Sequence, residues 1–147
     1  MLTSPRKSVR NINFDCLHQR QGHYDITADV DLVHLDPVMQ TCLLVCFKYG
    51  PWYRGMSSGQ RRLYEALSRS MTDGGTRTVA VIALHNDDVL EKSDISAADA
   101  VVCEVFEPRI GKWVRILKPI PLPIFADKHK ERVRRERAEE MLRRVRR

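Results

Sequence analysis

Five side chains in the first half of the sequence have the types and spacing for chemistry on a charged substrate: Asp29, Asp31, Cys46, Lys48 and Gln60. Asp29 and Asp31 alternate with apolar residues, as do Cys46 and Lys48, so each pair shares one face of an extended strand. If residues 37–40 turn the chain back on itself, Asp31 stands opposite Cys46 and Asp29 opposite Lys48. Opposed Cβ atoms lie about 5 Å apart, so one ammonium and two carboxylates converge. A slip of one residue would separate them.

The elements that must position these groups follow from periodicity and punctuation. Residues 24–35 alternate as a strand, and Asp36-Pro37 turns the chain. Residues 40–49 contain the nearly continuous apolar run TCLLVCF, a strand buried on both faces. A loop with Gly50, Pro51, Trp52, Tyr53, Arg54 and Gly55 comes next. The aromatic residues there either stack on bases or pack on their own domain. Ser57 and Gln60 have capping-box spacing, which predicts a helix from Ser57 to about Met71, ended by Asp73-Gly74-Gly75. Gln60 then points with Leu63, Leu67 and Met71 toward the sheet, while Glu65 is turned to solvent.

Residues 77–85, RTVAVIALH, form a further buried strand, and residues 86–99 a polar loop with a short helix after Ser93. A hairpin is expected from residues 101–106 and 112–118, then a Pro-rich extended linker at 119–123 and a charged helix from Ala126. The expected organisation is an N-terminal arm at 1–22, an α/β domain at 23–118, and a linker with a basic helix at 119–147.

The charge is uneven. The 147 residues carry 25 Lys and Arg against 19 Asp and Glu, a formal +6, and the sequence pI is about 9.4. Residues 128–147 hold ten basic and four acidic side chains, so the preceding 127 residues balance to zero. Arg132, Arg134, Arg135, Arg137, Arg143, Arg144, Arg146 and Arg147 are the candidate nucleic-acid contacts. Ala138, Met141, Leu142 and Val145 make a narrow apolar stripe on the same segment, suited to a homodimer. No apolar run approaches the roughly 18 residues that span a bilayer, which argues against a membrane protein, and no apolar segment follows the basic N-terminus as in a secretory signal. Cys16, Cys42, Cys46 and Cys103 lack metal-ligand spacing, and the five histidines form no cluster, so free thiols in a reducing cytoplasm are expected.

The segments DVDLV at 29–33, LLVCFKYG at 43–50, SSGQRRLYEAL at 57–67 and RTVAVIAL at 77–84 together resemble the PD-(D/E)XK nuclease superfamily. The resemblance covers about 60 residues and rests as much on element order as on letters. It implies an α/β fold of the restriction-endonuclease-like kind: a mixed sheet with a flanking helix, here with a C-terminal hairpin and basic helix added. It implies Mg²⁺-dependent hydrolysis of DNA phosphodiesters, with Mn²⁺ as the substitute ion. Asp31 would bind the metal, Lys48 would act on the attacking water and the developing charge, and Gln60 would orient the substrate.

Cys46 stands where the family has Asp or Glu, and a thiolate suits a hard cation poorly. Asp29 supplies the missing carboxylate, Glu65 moves in, or the site binds without cutting. The competing class is a non-catalytic factor that binds nucleic acid or protein through the basic helix. A third is a structural subunit assembled by that helix.

Overall fold

The computed structural model describes residues 30–86 and 96–147. Within them the chain forms strand β1 (Leu32–Asp36), strand β2 (Thr41–Tyr49), helix α1 (Ser58–Asp73), strand β3 (Arg77–His85), strand β4 (Val101–Glu107), strand β5 (Lys112–Pro121) and helix α2 (Leu122–Val145). The N-terminal arm, the first residues of the expected first strand, Asp29 and Cys16 lie outside the described residues, as do residues 87–95.

The two apolar runs become the centre of a five-stranded mixed sheet in the order β1-β2-β3-β4-β5. β2 and β3 are parallel, joined by α1, and the other neighbours are antiparallel. Alternation splits the central strands between two cores. Cys42, Leu44, Cys46, Ala80 and Ile82 pack beneath α1 with Tyr64. Leu43, Val45, Val79, Val81 and Ala83 pack on the other face, against Leu122, Phe125 and Ala126 of α2.

The turn that sets the first register is held by Asp36. Its Oδ1 accepts the N–H groups of Val38 and Met39 at 3.1 and 2.9 Å, and Gln40 takes the left-handed conformation that closes it, with φ 53°. Asp36 therefore pairs with Thr41 and Leu32 with Val45, the register expected from a four-residue loop. α1 also begins as its sequence dictates: the Ser57 hydroxyl oxygen accepts the Gln60 N–H at 3.2 Å.

The C-terminal part differs from expectation in one respect. The segment read as a linker is instead the end of β5 and the first residues of α2. Pro119 and Pro121 are tolerated there because β5 is an edge strand, and Pro123 sits in the first turn of α2, where no intrahelical N–H is needed. The backbone N–H of Leu122 donates to the Ala100 carbonyl at 2.9 Å, fixing the start of the helix.

Leu122, His129 and Val133 are buried against the sheet. Arg77 binds Glu136, Lys130 meets Asp36 at 3.0 Å, and Arg137 donates to the carbonyls of Met39 and Gln40. The packed stripe of the helix is thus residues 122–133. The apolar stripe read from the sequence lies beyond it, with Met141, Leu142 and Val145 67%, 56% and 83% exposed.

Candidate functional site

The site grows from the end of β2. Continuing the β1–β2 register by one residue sets Asp31 opposite Cys46. Asp31 Oδ2 accepts the Phe47 N–H at 2.8 Å. The Tyr64 hydroxyl of α1 donates to the Val45 carbonyl at 3.2 Å and lies 3.4 Å from the Asp31 backbone nitrogen, from which it accepts. One buried phenol thereby fixes the helix, the β2 backbone and the carboxylate-bearing residue relative to one another.

Lys48 and Gln60 meet above this floor. Lys48 Nζ donates to Gln60 Oε1 at 3.1 Å, and the Ser57 hydroxyl approaches the same oxygen at 3.4 Å. The capping-box residue thus gives its backbone N–H to the cap and its side chain to Lys48. An oxygen turned toward the ammonium leaves the carboxamide NH₂ directed elsewhere, available as a donor. Asp31, Cys46, Lys48 and Gln60 are brought to one face, as their spacing predicts, and Asp29 lies outside the described residues.

Cys46 is only 1% exposed. Burial pushes its thiol up to about 11, and Asp31 adds to the rise while Lys48 opposes it. It is a neutral thiol at physiological pH, neither a ligand for a hard ion nor a nucleophile. Glu65 does not replace the missing carboxylate. It is not turned to solvent as the helical wheel predicts; its Oε1 accepts the Trp113 indole N–H at 2.9 Å, on the same face but toward the β5 edge of the sheet, opposite the β1 edge where Asp31 lies.

The residue that sequence reasoning missed is Glu104. It pairs with Ile82, which in turn pairs with Cys46, so all three lie in one row across the α1 face. Glu104 accepts a hydrogen bond from the Tyr53 hydroxyl and lies 3.6 Å from Arg61. Burial first, and then the bond to Glu104, keep the Tyr53 phenol protonated. An acid interrupting the apolar run VVCEVF is the signal that could have marked it. Two strand spacings, roughly 10 Å, separate it from Cys46, so it cannot share an ion with Asp31.

Among the described residues, no group of three or more His, Cys, Asp or Glu side chains could hold a metal ion. Among the described residues Asp31 is the one carboxylate at the site, and one of its oxygens accepts the Phe47 N–H. Mg²⁺ requires near-octahedral oxygen coordination, and the described residues alone supply one carboxylate toward it; Asp29 lies outside them. No helix among the described residues is long and apolar enough to cross a membrane.

The candidate contacts on α2 are distributed between structure and surface. Arg137 is tied to the turn before β2. Arg132, Arg134, Arg143 and Arg144 form ion pairs with glutamates of their own helix. Arg135, Arg146 and Arg147 are exposed. Comparison of the chain with protein-family models, curated proteins and solved structures gives no significant match.

Proposed function

We propose that this is a nuclease-like protein of the PD-(D/E)XK type that binds DNA at the Lys48 site and has lost efficient cleavage. The observation that carries this reading is the Lys48–Gln60 contact beside Asp31, built around a buried, neutral Cys46. The ammonium, the Gln60 carboxamide and the first turn of α1 offer donors suited to a phosphodiester. Where the superfamily resemblance asks for a second hard ligand on β2, this chain has the thiol of Cys46. Binding is retained in this reading because it needs charge and donors; efficient hydrolysis is not, because a neutral thiol stands in place of an oxygen ligand for Mg²⁺.

The test is fluorescence anisotropy on labelled single- and double-stranded DNA across a salt series, beside a cleavage assay with Mg²⁺ and with Mn²⁺. Lys48→Ala is expected to weaken binding, and Asp31→Ala to leave it unchanged or tighter because a like charge is removed. Metal-dependent cleavage abolished by Asp31→Ala would overturn the loss of catalysis. Absence of any DNA binding would overturn the whole reading.

A second reading is favoured by the exposed Met141, Leu142 and Val145 at the end of α2. There the basic helix engages nucleic acid or a second copy of the chain on its own, and Lys48→Ala leaves affinity unchanged.

A further inference from the structure

We infer that the loop between Lys48 and Gln60 presents Trp52 as a stacking platform, and that the preferred substrate has unpaired bases; this deepens the DNA-binding reading and rests on it. Residues Gly50–Trp52 form a 3-10 turn closed by the Tyr53 N–H on the Gly50 carbonyl at 3.2 Å. A Cβ at Gly50 would lie 3.2 Å from Asn86 Oδ1 and 3.4 Å from the His85 carbonyl oxygen, so the turn is pressed against the end of β3. On one side the Tyr53 hydroxyl is anchored to Glu104. On the other, Tyr49 packs on buried His85, with ring centroids 5.7 Å apart. The loop is fixed at both ends of its aromatic run.

Trp52 is nevertheless 64% exposed. Its contact with Tyr49 is edge-to-face, with centroids 4.9 Å apart and planes at 86°. In that geometry at least one face of the indole stays open. The other tryptophan, Trp113, is already used: Arg61 lies 5.0 Å over its ring and Glu65 takes its N–H. Arg54, two residues after Trp52 in the chain, is exposed, its guanidinium held by the Tyr53 carbonyl at 2.9 Å. Four residues of chain, at most about 14 Å, separate Trp52 from Lys48. A phosphate at Lys48 therefore leaves a neighbouring base within reach of the indole.

Stacking on a side chain needs a free base face, which a duplex conceals and a single strand offers. A rigid, open indole on a loop that also carries an exposed arginine, four residues from a phosphate-binding lysine, thus discriminates by strandedness without reading sequence.

The experiment compares a 20-nucleotide oligo-dT with a 20-base-pair duplex, read by anisotropy and by intrinsic tryptophan fluorescence, for the wild-type chain, Trp52→Ala, Trp52→Phe and Lys48→Ala. The oligo-dT is expected to bind more tightly and to quench fluorescence. Trp52→Ala should weaken it roughly tenfold and abolish the quench, leaving duplex affinity within about twofold, and Trp52→Phe should retain most of the affinity. Binding that Lys48→Ala weakens but Trp52→Ala does not would overturn the stacking role alone. Equal affinity for both oligonucleotides would overturn the preference for unpaired bases. Failure of both to bind would overturn the DNA-binding reading with it.

Discussion

Lys48 Nζ and Gln60 Oε1 lie 3.1 Å apart although the two residues sit on different elements, one near the end of a central strand and the other in the first turn of a helix. The contact converts a helix-start signal into part of the site. Replacing Gln60 with Ala leaves the Ser57 cap intact, because that cap uses the Gln60 backbone. The expected result is a melting temperature within a few degrees of wild type, with DNA affinity reduced severalfold. Calorimetry and anisotropy on the same sample separate the two.

The Tyr64 phenol supplies a stability prediction. It is fully buried and donates to the Val45 carbonyl. Tyr64→Phe keeps the ring but leaves that carbonyl without this donor, a loss of about 1–3 kcal/mol. Tyr64→Ala opens a cavity as well and should cost about 3–5 kcal/mol. Urea unfolding of both variants tests the order; a Phe variant as stable as wild type would contradict the bridging role.

Thiol chemistry provides a direct check on the site. Burial holds Cys42 and Cys46 near 11 and raises Cys103. In the folded protein at pH 8 these three should react with a disulfide reagent only on the timescale of unfolding. In denaturant they should react at once. Rapid modification of Cys46 in the native state, located by peptide mapping, would contradict its description as a neutral core thiol.

Acid should destabilise the fold in two stages. Burial, with help from Arg132 and Arg77, lowers His129 from its ordinary 6.5. The unfolded chain then binds a proton there that the native state refuses, so stability falls as pH drops through 6.5. For Glu136 burial works against ionisation, but the Arg109 hydrogen bond and the Arg77 and Arg109 charges win and lower it from 4.5. Its contribution is present above pH 4.5 and lost below. Denaturation midpoints from pH 8 to 3 should show both phases, and His129→Gln should remove the first.

Truncation distinguishes the packed and projecting parts of α2. Removing residues 143–147 deletes four arginines beyond the buried stripe. The fold should survive, while the salt slope of duplex binding falls by up to about 3.6 if all four meet phosphates. Removing residues 126–147 should unfold the protein, because it strips His129 and Val133 from the sheet.

How far the fold could be read from the sequence varied with how locally each part was specified. The strands at 41–49 and 77–85 and the capped helix between them announce themselves through apolar runs, a serine cap and a double glycine. The turn at 37–40 set the register that unites Asp31, Cys46 and Lys48, since its length was visible. The start of α2 was hidden because prolines suit an edge strand and a first helical turn as well as a linker. Its packing stripe was hidden because His129 and short-range mixtures of charge dilute the apolar pattern. Glu104 escaped notice because its partners, Tyr53 and Arg61, come from a loop and a helix more than 40 residues away.

Pro121 pairs with Val101, Val101 with Leu84, and Leu84 with Lys48, so α2 leaves the sheet from the same cross-strand row that carries the site lysine. It then runs on the opposite face toward the Met39–Gln40 turn, which Arg137 holds. The basic terminus consequently emerges at the far end of the sheet, roughly 30 Å from that row. With no hinge between β5 and α2 this separation is built into the backbone. A DNA molecule that touches both Lys48 and the last arginines must have a minimum footprint of about nine base-pair steps, and shorter fragments will engage one end or the other.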